Sequence, residues 1–229
     1  RDMDWHNAVI TAFGSTCRPN VNPEEDANIQ SLINSGTQAC TIFGKTWNLH
    51  VTDVLRCSLE ENLRIIEQSC AYLISQGRRV IYDAEHFFDG YKADPAYALE
   101  TLKAAKRGGA ETVVLCDTNG GSMPWEVTQI VREVSTALNH PIGIHTHNDG
   151  ECAVSNSLAA LREGAIQVQG TINGYGERCG NANLCSIIGD LELKLKMPCL
   201  PEGHLEKLYD VSHFVAEMAN LAPDEHLAY

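Results

Sequence analysis

Six times along this chain a short apolar run leads into a polar or glycine-containing loop and then into a helical pattern, at a spacing of roughly 25–35 residues. The runs are residues 8–13, 39–43, 80–85, 112–116, 141–144 and 166–172. They are continuously apolar rather than alternating, as expected of strands covered on both faces by helices. Strands that alternate with helices in this way build a parallel α/β sheet. A doubly wound sheet and a β/α barrel both satisfy the pattern, and two features favour the barrel. No G-x-G-x-x-G loop follows an early strand, since the glycines of residues 174–180 come late and in another spacing. Polar residues also follow strand after strand: Ser15-Thr16, Lys45-Thr46, Glu85-His86, Asp117-Thr118, His145 and His147, Glu177 and Asn181. A barrel brings all such ends to one mouth, where its active sites lie. The expectation is a TIM-type (β/α)8 barrel that is incomplete over this chain, six strands of the eight being visible.

The helices carry their own start signals. Pro23-Glu24-Glu25-Asp26 reads as a helix start with Asn22 as its cap, and the helix runs to about Asn34. Ser58 and Glu61 form a capping-box pattern ahead of Leu63, Ile66, Cys70 and Leu73 at helical spacing. Asp94-Pro95 opens another helix, and further helices are expected over 124–138, 152–163 and from 181 to about 194. Residues 1–196 are expected to form the partial barrel. Residues 197–229 read as helices outside the repeat, leading into a C-terminal extension.

The formal net charge is −13, which argues against a nucleic-acid partner, since such binders present a basic face. Nine cysteines, odd in number, scattered and without a C-x-x-C, read as reduced thiols of a cytoplasmic protein. No apolar run approaches membrane-spanning length.

The chemistry centres on Ile144-His145-Thr146-His147-Asn148-Asp149. Side chains at i and i+2 of a strand share a face, so His145 and His147 project together where a strand meets a loop. Such a pair is either half of a divalent-metal site or two backbone-bonded histidines. Asn181 sits where a helix cap is expected, and its amide oxygen can instead face a metal; oxygen with imidazole suits Mg²⁺, Mn²⁺ or Zn²⁺. Glu85 closes its strand and is a candidate for acid/base or substrate-orienting work. Thr118 is a candidate for holding a substrate carboxylate, or simply part of the turn-rich Asp117-Thr118-Asn119-Gly120-Gly121. Cys179, flanked by glycine, is a weaker candidate for a reactive thiol, and His50 and Arg18 are weaker again.

The strings His145-Thr146-His147-Asn148-Asp149 and Gly176-Glu177-Arg178-Cys179-Gly180-Asn181 resemble those of the metal-dependent barrel family that joins or cleaves acyl-CoA carbon skeletons. It includes 2-isopropylmalate, homocitrate and citramalate synthases and 3-hydroxy-3-methylglutaryl-CoA lyase. Longer strings are similar to the citramalate synthase branch: Thr41-Ile42-Phe43-Gly44-Lys45, Tyr82-Asp83-Ala84-Glu85-His86-Phe87-Phe88 and Gln169-Gly170-Thr171-Ile172-Asn173-Gly174-Tyr175-Gly176. The resemblance implies a divalent metal held by His145, His147, Asn181 and an Asp near the end of the first barrel strand. It implies a catalytic or substrate-orienting Glu85, with Thr118 at the carboxylate of a 2-keto acid. The implied reaction is a Claisen-type condensation of acetyl-CoA with pyruvate to (R)-citramalate and CoA, in isoleucine biosynthesis, by a homodimer.

The family's first-strand Asp-Arg motif is absent, and Arg1-Asp2-Met3-Asp4, with no strand before it, does not replace it. The six strands therefore correspond to barrel strands three to eight. The family's later helical segment with its catalytic His is not found before Tyr229 either. The expectation is an internal fragment, inactive alone. Within the same class, a 2-isopropylmalate or homocitrate synthase is the alternative. In other classes, a 3-hydroxyacyl-CoA lyase would use Cys179, and a binding fragment would do no chemistry.

Overall fold

The computed structural model describes residue 5, residues 8–223 and residues 226 and 227. Arg1 to Asp4 and the last two residues, to which sequence expectations were attached, lie outside them. The strands are β1 (Thr11–Ser15), β2 (Ala39–Lys45), β3 (Arg79–Glu85), β4 (Thr112–Asp117), β5 (Ile142–Thr146) and β6 (Gln167–Gln169). Each pairs in parallel with the next, in the order of the chain. A doubly wound sheet would reverse that order at a switch point; a barrel would not. The sheet is also curled. Gln169 on β6 donates from Nε2 to Asp83 Oδ1 on β3 at 2.8 Å. Three strand spacings separate β3 from β6, about 14 Å in a flat sheet, so only an arc closing toward a barrel lets these side chains meet. The fold is a TIM-barrel-like α/β arc.

The main helices are α1 (Ala27–Asn34), α2 (Leu59–Ser75), α3 (Phe87–Ala93), α4 (Pro95–Arg107), α5 (Pro124–Leu138), α6 (Ala153–Arg162), α7 (Leu184–Gly189) and α8 (Leu208–Met218), with shorter helical turns between some of them. The core lies between this layer and the sheet. Cys40, Ile42, Val80, Tyr82, Ala84, Val113, Leu115 and Ile144 are wholly shielded from solvent. Each large apolar side chain so buried contributes about 1.5–3 kcal/mol. Among the described residues no helix is long and apolar enough to cross a membrane.

Several expectations are corrected. The strands are not apolar on both faces: in β3, Val80, Tyr82 and Ala84 alternate with Ile81, Asp83 and Glu85, and the second set faces the inside of the arc. Residues 23–25 form turns, and α1 begins after Asp26, whose carboxylate accepts from Asn28 N and Ile29 N. Asn22 is therefore not the cap. Ser58 does cap α2 by accepting from Glu61 N at 3.1 Å. The reciprocal half of the box is missing, because the Glu61 carboxylate accepts from Asn20 N and Arg64 instead. The last strand stops at Gln169, with Thr171 already bridging to Asn183. Helix α3 was not anticipated. It follows His86, which adopts a left-handed φ of 55° at the N-cap, and it buries Phe87 and Phe88. Gly90 lets it dock, since a Cβ there would stand 2.8 Å from the Thr46 carbonyl oxygen.

Candidate active site

The strand ends frame a cavity of about 230 Å³ lined by Phe13, Phe43, Asp83, Glu85, Cys116, Thr118, His145, His147 and Glu177. A larger groove, about 920 Å³, lies on the outside among α5, α6 and residues 190–197, and no strand-end residue reaches it. The smaller one is the candidate site, because side chains from five strands and the 174–181 loop converge there, the polar ones from β3, β4, β5 and the loops after them.

His145 and His147 meet as their spacing predicts, with their Nε2 atoms 3.1 Å apart. Asn181 joins them: its Oδ1 lies 3.1 Å from His145 Nε2 while its Nδ2 donates to the Tyr175 carbonyl at 3.2 Å. Asn181 is not a helix cap, because that place is taken by Asn183, whose side chain accepts from Cys185 N. Gly176 makes room for the Asn181 amide; a Cβ there would stand 2.0 Å from Nδ2. The fold thus uses Asn181 not as a helix cap and the two histidines not as backbone-bonded rings, but brings the three side chains together.

Whether this set fits a metal follows from its hydrogens. Gln169 turns its NH2 to the Asp83 carboxylate, so its oxygen faces His145 Nδ1 at 2.8 Å and the neutral ring carries its proton there. His145 Nε2 is then a lone pair facing another acceptor, Asn181 Oδ1. Two acceptors aimed at one point suit a cation. His147 is wired differently. Arg178 Nη2 donates to its Nδ1 at 2.8 Å, so the neutral ring carries its proton at Nε2 and gives it to His145. Burial, with His145 and Arg178 adding to it, pushes the His147 imidazole below its usual pKa. To act as a ligand through Nε2, His147 would shift its proton to Nδ1 and release Arg178. That guanidinium keeps partners in Asp149, whose carboxyl it holds below the usual range, and in the Thr118 carbonyl. The donor set fits a divalent ion with this one rearrangement. Among the described residues no three His, Cys, Asp or Glu side chains come together as a metal cluster; the third donor here is an amide oxygen.

Glu85 is ion-paired to Lys45 at the cavity edge. Lys45 also lies over the Phe43 ring, 5.9 Å from its centroid. Thr118 Oγ1 accepts from His86 N at 2.8 Å, which leaves the hydroxyl hydrogen free for a ligand. Asp117, next to it, is spent on the turn: its carboxylate accepts from Ser122 N and Oγ, and burial raises its pKa. Cys179 is exposed and does not line the cavity. His50 packs edge-on to His86 at 4.5 Å with Trp47 alongside, and Arg18 pairs with Asp26 near α1; neither lines the cavity.

Sequence reasoning missed Asp83, Gln169 and Arg178. A signal existed for the first two: a polar residue two before Glu85, and glutamines at 167 and 169 in an apolar stretch.

Comparison with known proteins agrees with this architecture. The (R)-citramalate synthase of Geobacter sulfurreducens is 60% identical over 97% of this chain and 42% of that protein. That of Aquifex aeolicus is 53% identical over 100% of this chain and 44% of that protein. The chain thus spans well under half the length of these curated relatives. The crystal structure of an HMG-CoA lyase from Bacillus subtilis superposes with a TM-score of 0.79 at 18% identity, over 99% of this chain and 75% of that one; this likeness concerns the fold. The profile of the HMGL-like family matches residues 3–215, and the chain belongs to that family.

Proposed function

We propose that the protein carrying this chain condenses acetyl-CoA with pyruvate to give (R)-citramalate and CoA. The reading is supported by the citramalate synthases among the relatives. The observation that carries it is the convergence of His145 Nε2, His147 Nε2 and Asn181 Oδ1 beside Glu85 and Thr118. His145, His147 and Asn181 would hold a divalent ion, Mg²⁺, Mn²⁺ or Zn²⁺. When bound, such an ion supplies Lewis-acid polarisation of a keto group. Thr118 donates its free hydroxyl hydrogen to the carboxylate of the keto acid. Phe13 and Phe43, stacked with centroids 5.6 Å apart, give the cavity an apolar wall. Glu85, held by Lys45, orients the acyl group or moves a proton. In the net reaction the acetyl methyl loses a proton, its carbon bonds to the keto carbon, the former carbonyl oxygen gains a proton, and water cleaves the thioester to free CoA.

We place this reaction in isoleucine biosynthesis in the cytoplasm, in a homodimer, with residues 1–196 as the barrel part and 197–229 leading into a helical extension. Helix α8 of that second part docks on the last strand-end loop, where Asn173 Nδ2 donates to the Ser212 carbonyl at 2.8 Å. The decisive assay is thiol release from acetyl-CoA by the intact enzyme with pyruvate or with 2-ketoisovalerate. Turnover with the second alone would replace the citramalate reading by an isopropylmalate one. Cys179→Ser should leave turnover unchanged within about twofold, whereas a lyase that used this thiol would lose it.

A further inference from the structure

Bonds in series join a buried carboxylate to the metal-facing edge of His145. Gln169 Nε2 donates to Asp83 Oδ1 at 2.8 Å. Gln169 Oε1 stands 2.8 Å from His145 Nδ1, and His145 Nε2 stands 3.1 Å from Asn181 Oδ1. Asp83 is only 4% exposed and lies on the inner face of β3, while Gln169 lies on β6, 86 residues away. A side-chain amide can turn over, and its two ends differ: oxygen accepts, NH2 donates. Against an imidazole, one orientation selects the Nδ1–H tautomer and the other selects Nε2–H. A carboxylate removes the choice, because it can only accept. It takes the NH2, turns the oxygen to His145 and leaves Nε2 bare.

We propose that Asp83 and Gln169 are positioning residues that lock His145 in the Nδ1–H tautomer, so that Nε2 is ready for a divalent cation. The inference rests on the proposed metal role of His145 and names what sets that ligand's proton. Metal-bound histidines commonly donate their second N–H to a carboxylate or carbonyl; here an amide transmits the carboxylate's preference across the arc. His147 provides the internal contrast. Its Nδ1 faces the donor-only Arg178, and it is the ring that must rearrange.

The test uses the intact enzyme, metal-free at pH 8, with ¹⁵N-labelled imidazoles. Burial pushes the Asp83 carboxyl up to about 6, so it is ionised under these conditions. The ¹⁵N shifts of His145 should report Nδ1–H in the native protein. Gln169→Leu and Asp83→Asn should each abolish that preference and weaken Mn²⁺ binding, read by electron paramagnetic resonance, about 10–100-fold. The double variant Asp83→Asn/Gln169→Glu keeps one negative charge and reverses the middle bond. Asn at 83 donates to Glu at 169, whose other oxygen accepts from Nδ1. It should recover the Nδ1–H tautomer and Mn²⁺ affinity to within a few-fold. A purely structural staple between β3 and β6 would change the melting temperature while the tautomer stayed put. If Gln169→Leu does not fold, the isosteric Asp83→Asn and the double variant decide. An unchanged tautomer in Asp83→Asn, or a double variant no better than either single, would overturn the lock. Failure of the metal reading is separate: His145→Ala binding Mn²⁺ as well as the native protein would remove it, with the tautomer data standing on their own.

Discussion

The two faces of one sheet divide the labour of this molecule. Toward the helices, Ile42, Val80, Tyr82, Val113, Leu115 and Ile144 are sealed and apolar. Toward the inside of the arc stand Asp83, Gln169 and His145, joined in series and to Asn181 by side-chain bonds, and Glu85, which is paired with Lys45. Because neighbouring side chains of a strand point opposite ways, the apolar core and the candidate site are separated by a single residue step. Burying polar groups on the inner face costs free energy unless they are bonded, and the Asp83–Gln169–His145–Asn181 series is how that cost is met. The outer face answers to volume, the inner face to the direction of hydrogens.

Substitutions on one face should therefore leave the property of the other largely intact. The largest effect is expected from His145→Ala in the intact enzyme: metal-dependent turnover should fall by about three orders of magnitude or more, about 4 kcal/mol in barrier, with a smaller loss of metal-free stability, about 1–3 kcal/mol, because Gln169 and Asn181 each lose a partner. Full turnover would break the division at once. Next, Leu115→Ala on the helix side should cost about 2–5 kcal/mol in urea unfolding while Mn²⁺ affinity holds. A cost near zero would mean that the outer face is not the core. Third, Asp83 links the inner face to stability through pH. Its carboxyl is raised from 3.8 to about 6 by burial, so the folded chain binds its proton more tightly than the unfolded one. Between those values the native state holds more protons, and stability of the metal-free protein should fall as pH rises, by on the order of 3 kcal/mol. Asp83→Asn should flatten that part of the profile in denaturant titrations. The smallest effect sharpens the outer face. Among the described residues the buried Tyr82 hydroxyl has no hydrogen-bond partner, so Tyr82→Phe should be neutral or stabilising by up to about 1 kcal/mol, read as a small rise in melting temperature.

Much of this was legible in the chain. The βα recurrence predicts the parallel sheet, and the polar residues after each run predict where its working end lies. The His145–His147 spacing predicts two imidazoles on one face, and they are there. Legibility fades where a local pattern has two uses. Asn181 reads as a helix cap by position, and only the chain path through Gly176 and the 174–181 loop turns it inward and leaves Asn183 to cap α7. Glu61 has the right spacing for a capping box, but Arg64 and Asn20 compete for its carboxylate and win. The early stop of β6 and the left-handed His86 that precedes α3 are likewise decided by what packs against them.

By itself the sequence determined what repeats with a short period: the six strands and most of the helices between them, which ends carry polar groups, and that His145 and His147 share a side. These follow from backbone geometry over a few residues. Only the tertiary structure decided how far the sheet curls, and with it that Asp83 reaches a glutamine 86 residues away. That bond selects the proton position on His145, and Arg178 selects the opposite one on His147. The reason is physical: a tautomer is set by whichever donor or acceptor stands within about 3 Å of a ring nitrogen, and such neighbours come from chain closure, which no local period encodes.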